Sequence, residues 1–376
     1  MKFVVSSMEL LGHLQAISRV ISSKNTLPIL DNFLFSLDGD VLEITASDLE
    51  STLITQIKLE NTEDSGLIAV PARILTDTLK EFPDIPLTFE INTDTLMIVI
   101  QSENGKFSIM GQNGAEFPHL PQIKEDQMQR VEFEQELLLS GINRTLFATA
   151  DDELRPVMNG IFMELSPDDV TFVASDAHKL VRYKRTDASA AGASSFILPK
   201  KPASLLKNIL PREENSVVLE FDDRNASFTL PSYRLVCRLV EGNYPSYNSV
   251  IPTENPYRMS IDRQAFYNTL KRVSVFSNQA SNLVKLSLTG NQLQVSAQDI
   301  DFSISANERL SCQYEGEDME IGFKSTFLIE ILANLSSIDV ILEMSDPTRA
   351  GILLPGEAEN ENEDTLMLLM PMMINV

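Results

Sequence analysis

Three stretches of the chain open with the same alternation of apolar and polar positions. Phe3-Val4-Val5, Val131-Glu132-Phe133 and Met259-Ser260-Ile261 each read as a short strand. Apolar residues four and three apart follow each one: Leu10, Leu14, Ile17 and Ile21; Leu138, Ile142 and Leu146; Phe266, Leu270 and Val273. That spacing places them on one face of a helix. Further on, a period-two run ends each time in an aspartate: Leu42 to Asp48, Val170 to Asp176 and Leu293 to Asp299. The second half of each unit repeats too. Val70-Pro71-Ala72-Arg73 leads into Leu75, Leu79 and Phe82; Leu198-Pro199-Lys200-Lys201 leads into Leu206, Ile209 and Leu210; Ile321-Gly322-Phe323-Lys324 leads into Leu328, Ile331, Leu332 and Leu335.

A repeat of this kind governs the fold assignment. Two helices against many strands in each unit predict α+β domains. Pro-rich segments, Glu116 to Pro121 and Glu241 to Pro252, close the first two units. The predicted domains are therefore 1–121, 129–252 and 255–376. Helical segments are predicted at 7–24, 72–82, 134–148, 200–210, 262–277 and 324–335.

Composition agrees with a globular protein: 376 residues, 43% hydrophobic and 22% charged, enough for several buried cores. Cys237 and Cys312 stand far apart, which excludes a disulfide framework and favours a reducing compartment. No apolar run is long enough to span a membrane and no signal-peptide stretch opens the chain, so a cytoplasmic location is expected. The net charge of −24 argues at first against nucleic acid. Divided by element it does not. The six predicted helical segments hold twelve Lys and Arg against seven Asp and Glu. Outward positions such as Gln15, Arg19 and Ser22, or Gln264, Asn268 and Lys271, are basic or neutral. Such faces track phosphates without reading bases. For any single helix, a solvated face is the competing reading.

Catalytic chemistry is poorly represented. His13, His119 and His178 form no metal-ligand spacing, and no Gly-rich phosphate loop occurs, so no metal or cofactor is expected. Ser175, Asp176 and His178 supply the residue types of a hydrolase triad. Three members in one strand-to-turn segment do not normally converge, however. A binding protein is the expected class. A hydrolase on those residues and a repeat-built scaffold with no DNA role are the alternatives.

Thr26-Leu27-Pro28-Ile29-Leu30-Asp31-Asn32, Val70-Pro71-Ala72-Arg73, Glu241-Gly242-Asn243-Tyr244-Pro245 and Leu368-Leu369-Met370-Pro371-Met372, set in this threefold repeat, resemble the bacterial DNA polymerase III β subunit family, the sliding clamps. The resemblance implies a head-to-tail homodimeric ring. Helices would line a hole for duplex DNA, and no active site would be present. It also implies association with the nucleoid. Partners would be the replicative polymerase, a clamp loader and others that bind through short peptides rich in Gln, Leu and Phe.

The resemblance assigns DNA contacts to Lys24 and Arg73; Lys200, Lys201, Lys271 and Arg272 join them as cations of the predicted helices. A further family contact falls at Asp152, Pro156 and Val157, where Gln and paired Tyr are common. The implied peptide cleft comprises Met158, Ser175, Ala177, His178, Lys179, Leu180, Pro245, Val250, Thr348, Leu368, Met370, Pro371 and Met372. Flexible methionines suit a surface that accepts several partners. Ser249 and Met373 stand where the family often has Arg, which implies a less basic rim. Ring closure would bring Phe107 and Ile109, on a predicted edge strand over Lys106 to Met110, against Val275 and Phe276 of a second copy. The same four residues would equally fit an intradomain core.

Overall fold

The computed structural model describes residues 1–358 and 360–374. Its α-helices are α1 (Ser7–Ile17), α2 (Ala72–Lys80), α3 (Gln135–Thr145), α4 (Lys200–Ile209), α5 (Arg263–Ser274) and α6 (Ser325–Ala333). Caps fix two of the starts. The Ser6 hydroxyl accepts from the Glu9 amide at α1, and Asp262 accepts from the Ala265 amide at α5, which satisfies amides that no helical carbonyl can reach. The first helix is shorter than its apolar spacing predicts. It tightens into a 3₁₀ turn at Ser18–Val20 and then turns extended at Ile21. The Ser22 hydroxyl accepts from the Lys24 amide there at 3.2 Å, and the Asn25 side chain donates to Asp31 at 2.7 Å. Lys24 therefore lies in an exposed turn rather than on a helix.

The chain forms two compact units, Met1–Leu139 with Lys201–Leu239, and Ser140–Lys200 with Val240–Val376. These do not follow the sequence repeats, because each unit holds a nine-stranded antiparallel sheet that joins strands of neighbouring repeats.

In the first unit that sheet joins strands of the first repeat, ending at Ser51–Lys58, to strands of the second, beginning at Tyr233–Arg238. A five-stranded sheet accompanies it and ends at Lys106–Met110. Leu10, Leu14 and Ile17 of α1 and Leu75 and Leu79 of α2 are fully buried, and Phe3 stacks on Phe89 at 4.9 Å. Each such side chain contributes about 1.5–3 kcal/mol.

In the second unit the corresponding seam pairs Lys179–Arg185 with Glu363–Leu369. A four-stranded sheet accompanies it and ends at Ile304–Ser311. Phe266, Leu270 and Val273 of α5 and Leu328, Ile331 and Leu332 of α6 enter one core with Val284, Leu286, Val295 and Phe323.

Candidate functional site

The three repeated aspartates do one job. Asp48 accepts from the Glu50 and Ser51 amides (3.1 and 2.7 Å). Asp176 accepts from the His178 and Lys179 amides (2.9 Å each). Asp299 accepts from the Asp301 and Phe302 amides (3.0 and 3.3 Å). Each carboxylate closes the turn between two strands. The hydrolase alternative fails on the same geometry. The Ser175 hydroxyl donates to the Lys179 carbonyl at 2.8 Å, and the His178 ring lies against Phe327 at 5.9 Å. Burial alone would push the Asp176 carboxyl up. The Lys179 ammonium and the Lys179 and His178 amides outweigh burial and hold it below the usual carboxylate range.

Around the second turn, in the second unit, the sequence-predicted cleft residues gather. Leu180 pairs with Leu368 across the seam, and the Met370 amide donates to the His178 carbonyl at 2.9 Å. Below them lies a packed floor of Val173, Leu180, Tyr247, Ala350, Ile352 and Leu366. Tyr244 stacks on Phe162 at 4.7 Å, and the Tyr247 hydroxyl donates to Glu164. Met158, Ser175, Lys179, Leu180 and Leu368 are buried, whereas Pro371 and Met372 are half-buried. Ala177, His178, Pro245 and Thr348 are exposed, as are Val250 at 55% and Met370 at 43%. Ala177 sits at φ 74°, a left-handed conformation that non-glycine residues adopt mainly in tight turns. At the rim, Ser249 is exposed and bonds the Ser246 carbonyl, and Met373 is almost fully exposed.

Glu330, Phe327 and Lys324, outside the predicted set, join this site. The Lys179 ammonium pairs with Asp176 at 2.8 Å and Glu330 at 3.2 Å, and lies 4.3 Å from the centroid of the Phe327 ring. Lys324 approaches the same ring at 4.5 Å. A signal for Phe327 existed in the sequence: it stands one position off the apolar stripe of Leu328, Ile331, Leu332 and Leu335.

The predicted DNA contacts divide by their local partners. Lys24 and Lys271 are exposed, and among the described residues neither has a carboxylate within 4.0 Å. Lys271 lies 5.3 Å from the Tyr267 ring. Arg73 reaches Asp77 at 3.8 Å but keeps a side chain 95% exposed. Lys200 pairs with Asp151 and Lys201 with Asp48, each at 2.5 Å. Arg272 pairs with Glu308, whose hydrogen bond raises the guanidinium pKa. Arg19 and Lys207 resemble Lys24: exposed and without a carboxylate partner among the described residues. At the departing family contact, Arg155 donates to Asp152 at 2.8 Å and holds that carboxyl low. Val157 belongs to the 3₁₀ turn Pro156–Met158.

The predicted interface residues are not core. Phe107 is 40% exposed, with its edge toward Phe82, and Ile109 is half-buried. Val275 is 73% and Phe276 37% exposed at the C-terminal end of α5. Among the described residues no group of three His, Cys, Asp or Glu could hold a metal ion, and no helix is long and apolar enough to cross a membrane.

Comparison with known proteins places this geometry. Models of the DNA polymerase III beta subunit match the chain in three parts: the N-terminal domain over residues 1–121, the central domain over 132–246 and the C-terminal domain over 248–373. The beta sliding clamp of Synechocystis is 30% identical over 380 residues, covering 94% of this chain and 96% of that protein. The Pseudomonas putida beta sliding clamp is 28% identical, covering 99% and 100%. Among solved structures, the Pseudomonas aeruginosa sliding clamp bound to griselimycin superimposes with a TM-score of 0.93 at 26% identity, and the Bartonella birtlesii clamp bound to griselimycin with 0.91 at 29%. Both matches cover 100% of each chain.

Proposed function

The chain belongs to the DNA polymerase III beta subunit family, and from that premise we propose how it works as a DNA sliding clamp. It is a non-catalytic processivity factor that encircles duplex DNA. It tethers the replicative polymerase, and it meets the clamp loader and other partners through the apolar cleft. Its three domains are 1–121, 129–252 and 255–376. It acts in the cytoplasm, on the nucleoid.

The observation that carries the ring is an unfinished pair of sheets. Within the chain, two sheets of nine strands each join a half from one repeat to a half from the next. The five-stranded and four-stranded sheets are the two halves left over, each ending in an unpaired edge. Joined head to tail between two copies, they make a third sheet of nine. The two in-chain seams share one register: Ser51 pairs with Cys237, and Lys179 with Leu369. Both Ser51 and Lys179 begin the strand that leaves the aspartate turn. The equivalent residue of the third turn is Ile304, paired with Asp299. Carried over, that register sets Ile304 against Ile109, Ser305 against Ser108 and Ala306 against Phe107 of the second copy. Val275 and Phe276 supply apolar area at the same joint.

Lys24, Arg73 and Lys271 are the strongest phosphate contacts. They attract the backbone electrostatically and read no sequence. Lys200, Lys201 and Arg272, already paired within the chain, contribute less. The ring then holds the polymerase at high local concentration.

Loading onto circular DNA tests this function. Clamp-bound circles retain the protein at high salt and release it on linearisation, as only topological attachment does. Equal retention on linear DNA would reject it. Cysteines placed at Ser108 and Ser305 cross-link two chains if the register is right.

A further inference from the structure

One corner of the proposed cleft carries a positive charge that, among the described residues, no carboxylate neutralises. Lys324 ends the strand Met319–Lys324 and stands at the N-cap of α6. Among the described residues its ammonium has no carboxylate within 4.0 Å; its partner is the face of Phe327, 4.5 Å away. A ring of this kind holds an ammonium in place without cancelling its charge. The neighbouring cation differs. Lys179, with a side chain only 5% exposed, is satisfied by Asp176 and Glu330.

Position ties Lys324 to the cleft. The Met372 amide donates to the Gly322 carbonyl at 2.8 Å, so the cleft's methionine segment runs beside the strand that ends in Lys324. Gly322 and Lys324, two apart on that strand, share one face. Phe327 meets the His178 ring, and His178 accepts from Met370. The first turn of α6 has no side-chain cap and no acid, so the positive end of the helix dipole adds to the same field. The exposed rim residues, Ser249 and Met373, bring no charge.

We infer that Lys324 makes this cleft select peptides that carry a carboxylate side chain beside their apolar anchor. The apolar anchor fills the Met370–Phe327 surface, and the carboxylate meets an ammonium already partly desolvated by the ring. The inference rests on the cleft reading given above. Its recognition element is a charge-assisted hydrogen bond at a half-exposed site, so discrimination is about tenfold, salt-sensitive.

The test uses the full-length protein and C-terminally amidated peptides rich in Gln, Leu and Phe. One peptide bears Asp next to Phe, the other the isosteric Asn, and binding is read by fluorescence anisotropy at low and high salt. The Asp peptide should bind about tenfold tighter at low salt. The preference should vanish in Lys324→Gln and persist in Lys324→Arg, and Lys324→Glu should instead favour a Lys peptide. Equal binding of the two peptides, or a preference that survives Lys324→Gln, overturns the inference. The cleft reading has its own readout: the uncharged Met370→Ser should weaken both peptides alike. If it weakens neither, the peptides bind elsewhere and the role of Lys324 falls with the cleft.

Discussion

The two seams inside this chain share a backbone frame and differ in nearly everything attached to it. In the first unit, Ser51–Lys58 pairs with Tyr233–Arg238, and the Arg238 amide donates to the Glu50 carbonyl at 2.9 Å. In the second, Lys179–Arg185 pairs with Glu363–Leu369, and the Met370 amide donates to His178 at the same distance. An aspartate turn leads into each. At the first mouth, however, Arg238 pairs with Glu50 at 3.8 Å, and Lys201 reaches across to Asp48 and the Val20 carbonyl. At the second, the equivalent positions hold Met370 and His178, with Phe327 alongside. The first mouth is lined by charge pairs, whereas the second sets the exposed Met370 and the Phe327 ring beside its own Lys179–Asp176 pair. The frame provides a place, and a handful of side chains decide whether a peptide can use it.

The far ends of the seams differ as well. In the second unit, Arg185 donates to Asp187 at 2.8 and 2.6 Å, to the Tyr183 hydroxyl at 3.2 Å and to Glu363 at 3.4 Å. Glu363 also accepts from Tyr183. Burial and Glu363 both push the Tyr183 phenol well up, so it remains a donor. Arg185 and Glu363 side chains are 11% and 10% exposed. Arg185→Met leaves a nearly buried carboxylate without its cation, which should cost about 3 kcal/mol. Urea unfolding measures that loss. Hydrogen exchange should place it in 179–185 and 363–369, with 51–58 unchanged. A loss below about 1 kcal/mol would mean that apolar packing alone holds this seam.

Exchanging the mouths should have the next largest effect. Met370→Arg, which copies the first seam, removes an apolar contact worth about 2 kcal/mol and weakens peptide binding some thirtyfold. The reciprocal Arg238→Met leaves binding at the second mouth as it was. Isothermal titration with a Gln/Leu/Phe-rich peptide compares the two. Equal loss in both variants would erase the distinction between the seams.

A smaller difference concerns DNA. Lys201 is committed to Asp48 at the first seam, while among the described residues Lys24 has no carboxylate within 4.0 Å. Lys24→Ala should lower the slope of log affinity against log salt by about 1, and Lys201→Ala by clearly less. Salt titrations on duplex DNA separate them.

Much of this frame was legible in the sequence. The threefold repeat, the helix of each half-unit and the three aspartate turns follow from periodicity, which is a local property. The edge strand over Lys106–Met110 was legible for the same reason. Pairing between distant segments was not. Nothing in the spacing of residues says that Ser51–Lys58 meets Tyr233–Arg238, so three repeats appear as two compact units. Nor does spacing reveal which cations are already spent: Lys201 and Asp48 are brought together only by the folded unit. Lys324 and Phe327 escaped notice because α6 reads from its apolar stripe as a core helix, and the residues just off that stripe carry the contact. The apolar spacing through Ile21 extends the predicted helix to 24, whereas α1 ends at Ile17 and Ile21 is already extended.

The subtlest contrast between the seams is in their response to acid. The His13 ring is half-buried in the first unit, with Nδ1 2.5 Å from the Thr55 hydroxyl and Tyr233 beside it. That hydroxyl donates to the Ser232 carbonyl at 2.9 Å, so it accepts from Nδ1–H. Burial, helped by the nearby Arg212, pushes the His13 pKa below 6.5. The unfolded chain then takes up the proton first as pH falls. The stability that neutral His13 contributes is complete above pH 6.5 and is lost as pH drops through the lowered folded value. In the second seam Tyr183 stands at the position of Thr55, and Asp187, a shifted acid beside it, is held below 3.8 by Arg185. Its contribution persists above 3.8 and is lost only at more acid pH. Mild acid, about pH 5.5, should therefore loosen 51–58 and 233–238 while leaving 179–185 and 363–369 protected. Hydrogen exchange corrected for its intrinsic pH dependence reads this directly, and His13→Gln should abolish the difference between the two pH values. Equal loosening of both seams would show that the acid response belongs to the sheets in general and not to His13.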